Sequence, residues 1–136
     1  MMKKKIKKLV SSLPQITKIN VDAEVTISST GEIILYSIED KTINSGDNEF
    51  IQTGIKLYIP AGTVAIFRSI ASMFINNNVY VHPAKMIESS TESEIYVLLR
   101  NDGDKPFVIS KKDQIAVVMI YDLKSIKNIK VNEVKL

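Results

Sequence analysis

Between Ile16 and Tyr121 the chain is a succession of short runs rich in Ile, Val, Thr and Tyr, each closed by turn-forming residues. β-Branched side chains lose rotamer freedom in a helix and pack well on a pleated surface, so this rhythm predicts strands. Strands are expected over 19–28, 32–38, 41–43, 50–59, 62–70, 79–81, 94–101, 106–110 and 114–121. Between them lie Ser28-Ser-Thr-Gly31, Asn44-Ser-Gly-Asp47, Pro60-Ala-Gly62, Asn76-Asn-Asn78 and Asn101-Asp-Gly-Asp104, all turn formers. Many short strands at near-regular spacing restrict the domain to an all-β barrel or sandwich.

The 136 residues, 45% hydrophobic and 24% charged, suit one globular domain. Its long apolar run, Ile115-Ala-Val-Val-Met-Ile-Tyr121, falls far short of the roughly 20 residues that cross a bilayer as a helix, so no membrane span is expected. The absence of cysteine removes disulfides, thiolate nucleophiles and Cys-based zinc sites. A single histidine, His82, is read as a packing or solvent-facing residue, and no resident metal site is expected.

Net charge is +3, but five of the 16 lysines lie in the first eight residues and the rest of the chain is slightly acidic. The basicity therefore belongs to a tail. With no tryptophan to stack on bases, nucleic acid is not an expected partner. Charges interrupt any signal-peptide core and no small-residue cleavage site follows, so a cytoplasmic or virion-associated location is expected rather than secretion.

The expected organisation is a basic leader over 1–15 followed by a single β domain over 16–136. Ile6, Leu9, Val10 and Leu13 share one helical face opposite lysines, which predicts a short amphipathic helix over 3–13, closed by Pro14. Lys3, Lys4, Lys5, Ile6 and Leu9 are the expected attachment residues for a protein partner in a larger assembly. At the other end, 124–136 alternates apolar and charged residues, as a final edge strand or an exchanged arm would.

The stretch Ile51-Gln-Thr-Gly-Ile-Lys-Leu-Tyr-Ile-Pro-Ala-Gly62 followed by Ala65-Ile-Phe-Arg-Ser69 resembles the trimeric dUTPase family, as do Asn101-Asp-Gly103 and Lys112-Asp-Gln-Ile-Ala116 further on. Upstream, Ser29-Thr-Gly-Glu-Ile-Ile-Leu35 and Asn44-Ser-Gly-Asp47 stand where the first motif and a glycine-aspartate turn belong. The resemblance spans about residues 28–122. It implies a distorted jelly-roll β-barrel assembled as a homotrimer, nucleotide sites at subunit boundaries, and hydrolysis of dUTP to dUMP and pyrophosphate with Mg²⁺ carried by the triphosphate.

Matched position by position, the chemical residues depart from that pattern more than the scaffold does. Ile33 falls at the first motif's aspartate. Glu32 is its neighbour and is expected on the opposite face. Arg68 and Ser69 remain as phosphate contacts, and Gln114 stands for an arginine. Lys112 and Val117 replace a glycine and a glutamine, while Asp113 is kept. Glu88 falls at the water-activating aspartate, one methylene longer, and Thr91 and Ser93 replace a tyrosine and a glycine. Lys85 and Pro83 stand for small residues in the uracil-reading hairpin. No glycine follows Gly103, so the family's glycine-rich closing arm is not expected. These departures lead to the expectation of a non-catalytic, dUTPase-like homotrimeric binding or structural module, without cofactor, and the Lys, Ile and Asn bias of the chain points to a viral or phage setting. The alternatives are a divergent dUTP diphosphatase with Glu88 as base, and a nucleotide-sequestering or sensing protein.

Overall fold

A computed structural model of the chain describes residues 13–82, 86–88, 92–123 and 129–135. The expected leader helix, with Lys3, Lys4, Lys5, Ile6 and Leu9, lies outside these residues. The described part is mostly strand. A four-stranded sheet has the order β1 (Gln15–Lys18), β5 (Asn48–Tyr58), β9 (Glu92–Asn101), β7 (Val79–Val81). A five-stranded sheet runs β2 (Val25–Ile27), β3 (Ile33–Tyr36), β11 (Gln114–Asp122), β6 (Thr63–Arg68), β8 (Met86–Glu88). The pair β10 (Phe107–Ile109) and β4 (Lys41–Ile43) makes a third. The neighbouring strands pair antiparallel. The expected barrel is thus an open, jelly-roll-like set of sheets around one core.

Alternation along the strands builds that core. Ile51, Ile55 and Leu57 of β5 face Ile95, Val97 and Leu99 of β9, with Ile33, Leu35, Phe67, Ile115 and Val118 coming from the five-stranded sheet, all nearly or fully buried. Between Gln52 and Lys56, β5 bulges against β9, and the buried Thr53 hydroxyl donates to the Ile95 carbonyl at 2.7 Å.

Three elements differ from the sequence expectation. The strand expected over 19–28 is broken by a turn in which Asp22 N–H donates to the Asn20 side chain at 2.8 Å, leaving β1 and β2 on different sheets. A helix, α1 (Ala71–Asn77), follows β6; at two turns it is too short to print a helical period, and it ends on Asn78 in the left-handed region at φ 55°. Residues 129–135 carry no regular structure, and Ile129, Val131 and Val134 are exposed, so no final edge strand forms there within one chain.

The expected turn at Asn101 is a structural hub. Its fully buried side chain donates to the carbonyls of Ile43 and Lys105, both at 2.8 Å, and accepts from Gly103 N–H at 2.9 Å. Gly103 is tight against α1, where a Cβ would stand 2.5 Å from the Asn77 carbonyl oxygen, so a side chain is sterically refused there.

Candidate functional site

The outer face of the five-stranded sheet gathers several of the expected residues. Val117 of β11 pairs with Ile34 on one side and with Arg68 on the other. In the next row Val118 sits between Ile33 and Phe67, and all three are buried. Because strand neighbours point to opposite faces, residues 34, 117 and 68 look outward while 33, 118 and 67 look into the core.

This corrects the reading of the first motif. Ile33 is 6% exposed and belongs to the core, whereas Glu32 reaches the outer face and pairs with Arg68, Nη2 to Oε2 at 3.5 Å. The Ser28–Gly31 turn places it there. Gly31 takes φ +83° and donates to the Ser28 carbonyl at 3.0 Å; Glu32 N–H donates to Ser28 Oγ at 3.0 Å, and Ser28 N–H to the Glu32 carbonyl at 2.9 Å. The acid that position-by-position matching passed over is thus beside the arginine. The alternation of Ile33 and Leu35 as core residues was the signal that identifies the outward set.

Arg68 ends β6 with about half of its side chain exposed. Ser69 follows it, and its Oγ accepts from Val81 N–H at 2.9 Å, tying the motif to the edge strand β7 of the four-stranded sheet. Its own hydroxyl hydrogen can still donate to an anion. Gln114 is exposed at the start of β11, opposite Tyr36, and a bulge between residues 114 and 116 lets Ile115 and Ala116 both face inward. Asp113 caps its own turn by accepting from Ser110 N–H at 2.9 Å. Lys112, where the family pattern has glycine, holds φ +75°, the left-handed conformation that glycine enters without strain.

Of Glu88 the backbone is described, and it stands apart from this group within one chain. It closes β8 and pairs with Val64, four residues along β6 from Arg68, which separates the two backbones by about 14 Å at ~3.4 Å per residue. Lys85, Pro83 and Thr91 lie outside the described residues, and of Ser93 only the backbone is described.

Elsewhere, the outer face of the four-stranded sheet carries a polar cluster the sequence did not announce. Arg100 Nε donates to Asp102 Oδ1 at 2.6 Å, and the Tyr80 hydroxyl donates to Asp102 Oδ2. The hydrogen bond from Tyr80, then that from Arg100, holds the Asp102 carboxyl below its usual value, and the same Tyr80–Asp102 bond raises the Tyr80 hydroxyl. Tyr80 contacts the Phe74 and His82 rings edge-on at 6.0 and 5.9 Å. His82 is solvent-exposed and stands at the edge of an apolar cavity of about 280 Å³, lined also by Phe50, Phe67, Val81 and Tyr96. No group of three His, Asp or Glu side chains able to hold a metal occurs among the described residues, nor does a helix long and apolar enough to cross a membrane.

Open antiparallel sheets with a cationic outer corner at Arg68 define a jelly-roll-like β protein. The dUTPase family profile matches residues 26–135. The deoxyuridine 5'-triphosphate nucleotidohydrolase of Trichodesmium erythraeum is 32% identical over 100 residues, covering 73% of this chain and 70% of that protein. That of Clostridium tetani is 35% identical over 103 residues, 75% of this chain and 69% of that protein. Among solved structures, a dUTPase mutant from phage phi11 of S. aureus superposes with a TM-score of 0.73 at 13% identity, over 91% of this chain and 95% of its own. The dUTPase of Staphylococcus bacteriophage 80alpha gives 0.73 at 16% identity, over 91% and 87%. At those identities the structures speak for the fold. The chain belongs to the dUTPase family.

The expectation of a non-catalytic module is thereby corrected: the relatives at 32% and 35% identity carry the name of the nucleotidohydrolase. That expectation rested on counting departures position by position, and the first of them, Ile33, is a core residue rather than a vacated acid.

Proposed function

We propose that this protein hydrolyses dUTP to dUMP and pyrophosphate, with Mg²⁺ arriving as part of the triphosphate substrate. The observation that carries the reading is relatives of 32–35% identity, named for this reaction, across about three quarters of the chain. Arg68, with its planar donor fork at an exposed sheet end, takes phosphate oxygens, and Ser69 and Gln114 add neutral donors. Glu88 is the base that draws a proton from the water whose oxygen bonds to the α-phosphorus as the bridging oxygen leaves with pyrophosphate.

The working unit is a homotrimer, with the 16–136 domain carrying the site and the 1–15 leader outside it. The separation of Arg68 and Glu88 along β6 supports this: a site using both is assembled between chains, where β8 of one subunit meets Arg68 of the next. A substrate then sees both groups only in the oligomer.

The test is pyrophosphate release from dUTP by the full chain in Mg²⁺ buffer, with sedimentation to give the mass. Release by a species of three times 15.2 kDa is expected. Glu88→Gln lowers kcat by about a hundredfold or more, as loss of a positioned base does, and Arg68→Ala raises KM. Wild-type protein at micromolar concentration that releases no pyrophosphate above the buffer background sinks the proposal, and a monomer with full activity sinks the assembled site.

A further inference from the structure

We propose that Glu32 is a built-in counter-ion for Arg68 that competes with substrate phosphate for the guanidinium; this rests on the reading of Arg68 as a phosphate contact. Three features of the structure carry it. The Glu32 backbone is fixed by two hydrogen bonds to Ser28, 2.9 and 3.0 Å, behind a left-handed Gly31, so the carboxylate is delivered to Arg68 by a formed turn rather than by a wandering side chain. Ser28 Oγ is itself braced by Thr30 Oγ1 at 3.0 Å. The ion pair spans 3.5 Å, longer than a close N–H to carboxylate bond of about 2.8 Å, with the two side chains 53% and 40% exposed.

An exposed pair at that distance is weak enough to be exchanged and strong enough to keep the guanidinium in place. When a triphosphate arrives, its oxygens replace Oε2 at Nη2, and Glu32 is left close to a strongly negative ligand. The carboxylate therefore holds Arg68 in position at a cost in phosphate affinity. It acts through Arg68 and is a positioning residue. The occupant in competition is the oligophosphate itself, free pyrophosphate included, so product is released more readily than from an unpaired arginine.

The experiment is calorimetric titration of the full chain with Mg²⁺-pyrophosphate and with the Mg²⁺ complex of a non-hydrolysable imido analogue of dUTP. Glu32→Gln, which removes the charge and keeps the shape, is expected to lower both dissociation constants by about two- to fivefold, the span set by exposed ion pairs. The gain shrinks as salt is raised, because screening removes the competition in the wild type. It vanishes when Glu32→Gln is added to Arg68→Ala, because the effect passes through the arginine. Glu32→Asp, which keeps the charge, stays within about twofold of wild type. Unchanged or weaker binding by Glu32→Gln overturns the inference, and weaker binding makes Glu32 a ligand of the substrate's metal. A gain that persists without Arg68 overturns it as well. Pyrophosphate release by the wild type, measured alongside, reports separately on the proposed activity: hydrolysis with no Glu32 effect removes only this inference, and no hydrolysis with no binding removes both.

Discussion

Asn101→Ala isolates what the Asn101–Gly103 turn does for the fold. The wild-type side chain is wholly buried and makes three hydrogen bonds: two donated, to the carbonyls of Ile43 and Lys105, and one accepted from Gly103 N–H. Ile43 ends β4 and Asn101 ends β9, so the bonds join two sheets at a corner where the Ser45 hydroxyl also donates to the Gly103 carbonyl. Each intramolecular hydrogen bond contributes about 1 kcal/mol net, and alanine leaves two carbonyls and an N–H without their partner, so a loss of about 3 kcal/mol follows. For a chain of this length, roughly 3–4 °C per kcal/mol, the midpoint falls by about 10 °C.

The assay is urea and thermal unfolding followed by far-ultraviolet circular dichroism, since the chain has no tryptophan to report by fluorescence. Protein concentration is held fixed because assembly contributes to apparent stability. Asn101→Asp supplies the control. It keeps the acceptor for Gly103 but turns a second oxygen toward two carbonyls, so it is less stable than wild type at neutral pH. Part of that loss returns on acidification, when the carboxyl gains a proton to donate. A loss under about 1 kcal/mol for Asn101→Ala refutes the account and means that the corner is held by its backbone bonds and the Ser45–Gly103 tie.

Gly103→Ala drives a methyl into the Asn77 carbonyl 2.5 Å away, and a loss of about 1–3 kcal/mol in the same unfolding assay is expected. Lys112→Gly relieves a left-handed residue at φ +75° while losing only a 3.7 Å exposed pair with Glu24, so stability rises by up to about 1 kcal/mol. The depressed Asp102 carboxyl gives an acid limb: the unfolded chain takes up that proton first, so the contribution is fully present above the ordinary value of 3.8 and is lost as pH falls through the lower folded value. Asp102→Asn flattens that limb in a pH series of thermal midpoints. The raised Tyr80 hydroxyl is the mirror case, its contribution present below pH 10 and lost above it, which Tyr80→Phe removes.

Strand placement was readable wherever chemistry is local. Asn44-Ser-Gly-Asp47 and Asn101-Asp-Gly-Asp104 close strands as their turn residues dictate, β3, β4, β6, β7 and β10 fall within the expected runs, and β11 overruns its run by one residue. Elements escaped where the signal is short or polar. β1 opens at Gln15, directly after Pro14, and earns its place by pairing with β5 rather than by its own composition. β8 is three residues long, and α1 buries Met73 alone.

Site residues were legible as residue types but not as faces. A residue matched to a motif position is scored by what it is, yet its chemistry depends on which side of the sheet it occupies. Ile33 was read as a lost acid, though any side chain there enters a core at 6% exposure where an unpaired carboxylate is disfavoured. Glu32, expected on the face opposite Ile33, is there, and that outer face is the one that carries Arg68 at 3.5 Å. The same logic separates the two groups proposed for catalysis. Glu88 and Arg68 belong to adjacent strands and look like neighbours in a diagram of the sheet, but their register sets them about 14 Å apart along the strand. Register, which no single sequence prints, therefore decides whether the retained residues form one site per chain or one per boundary.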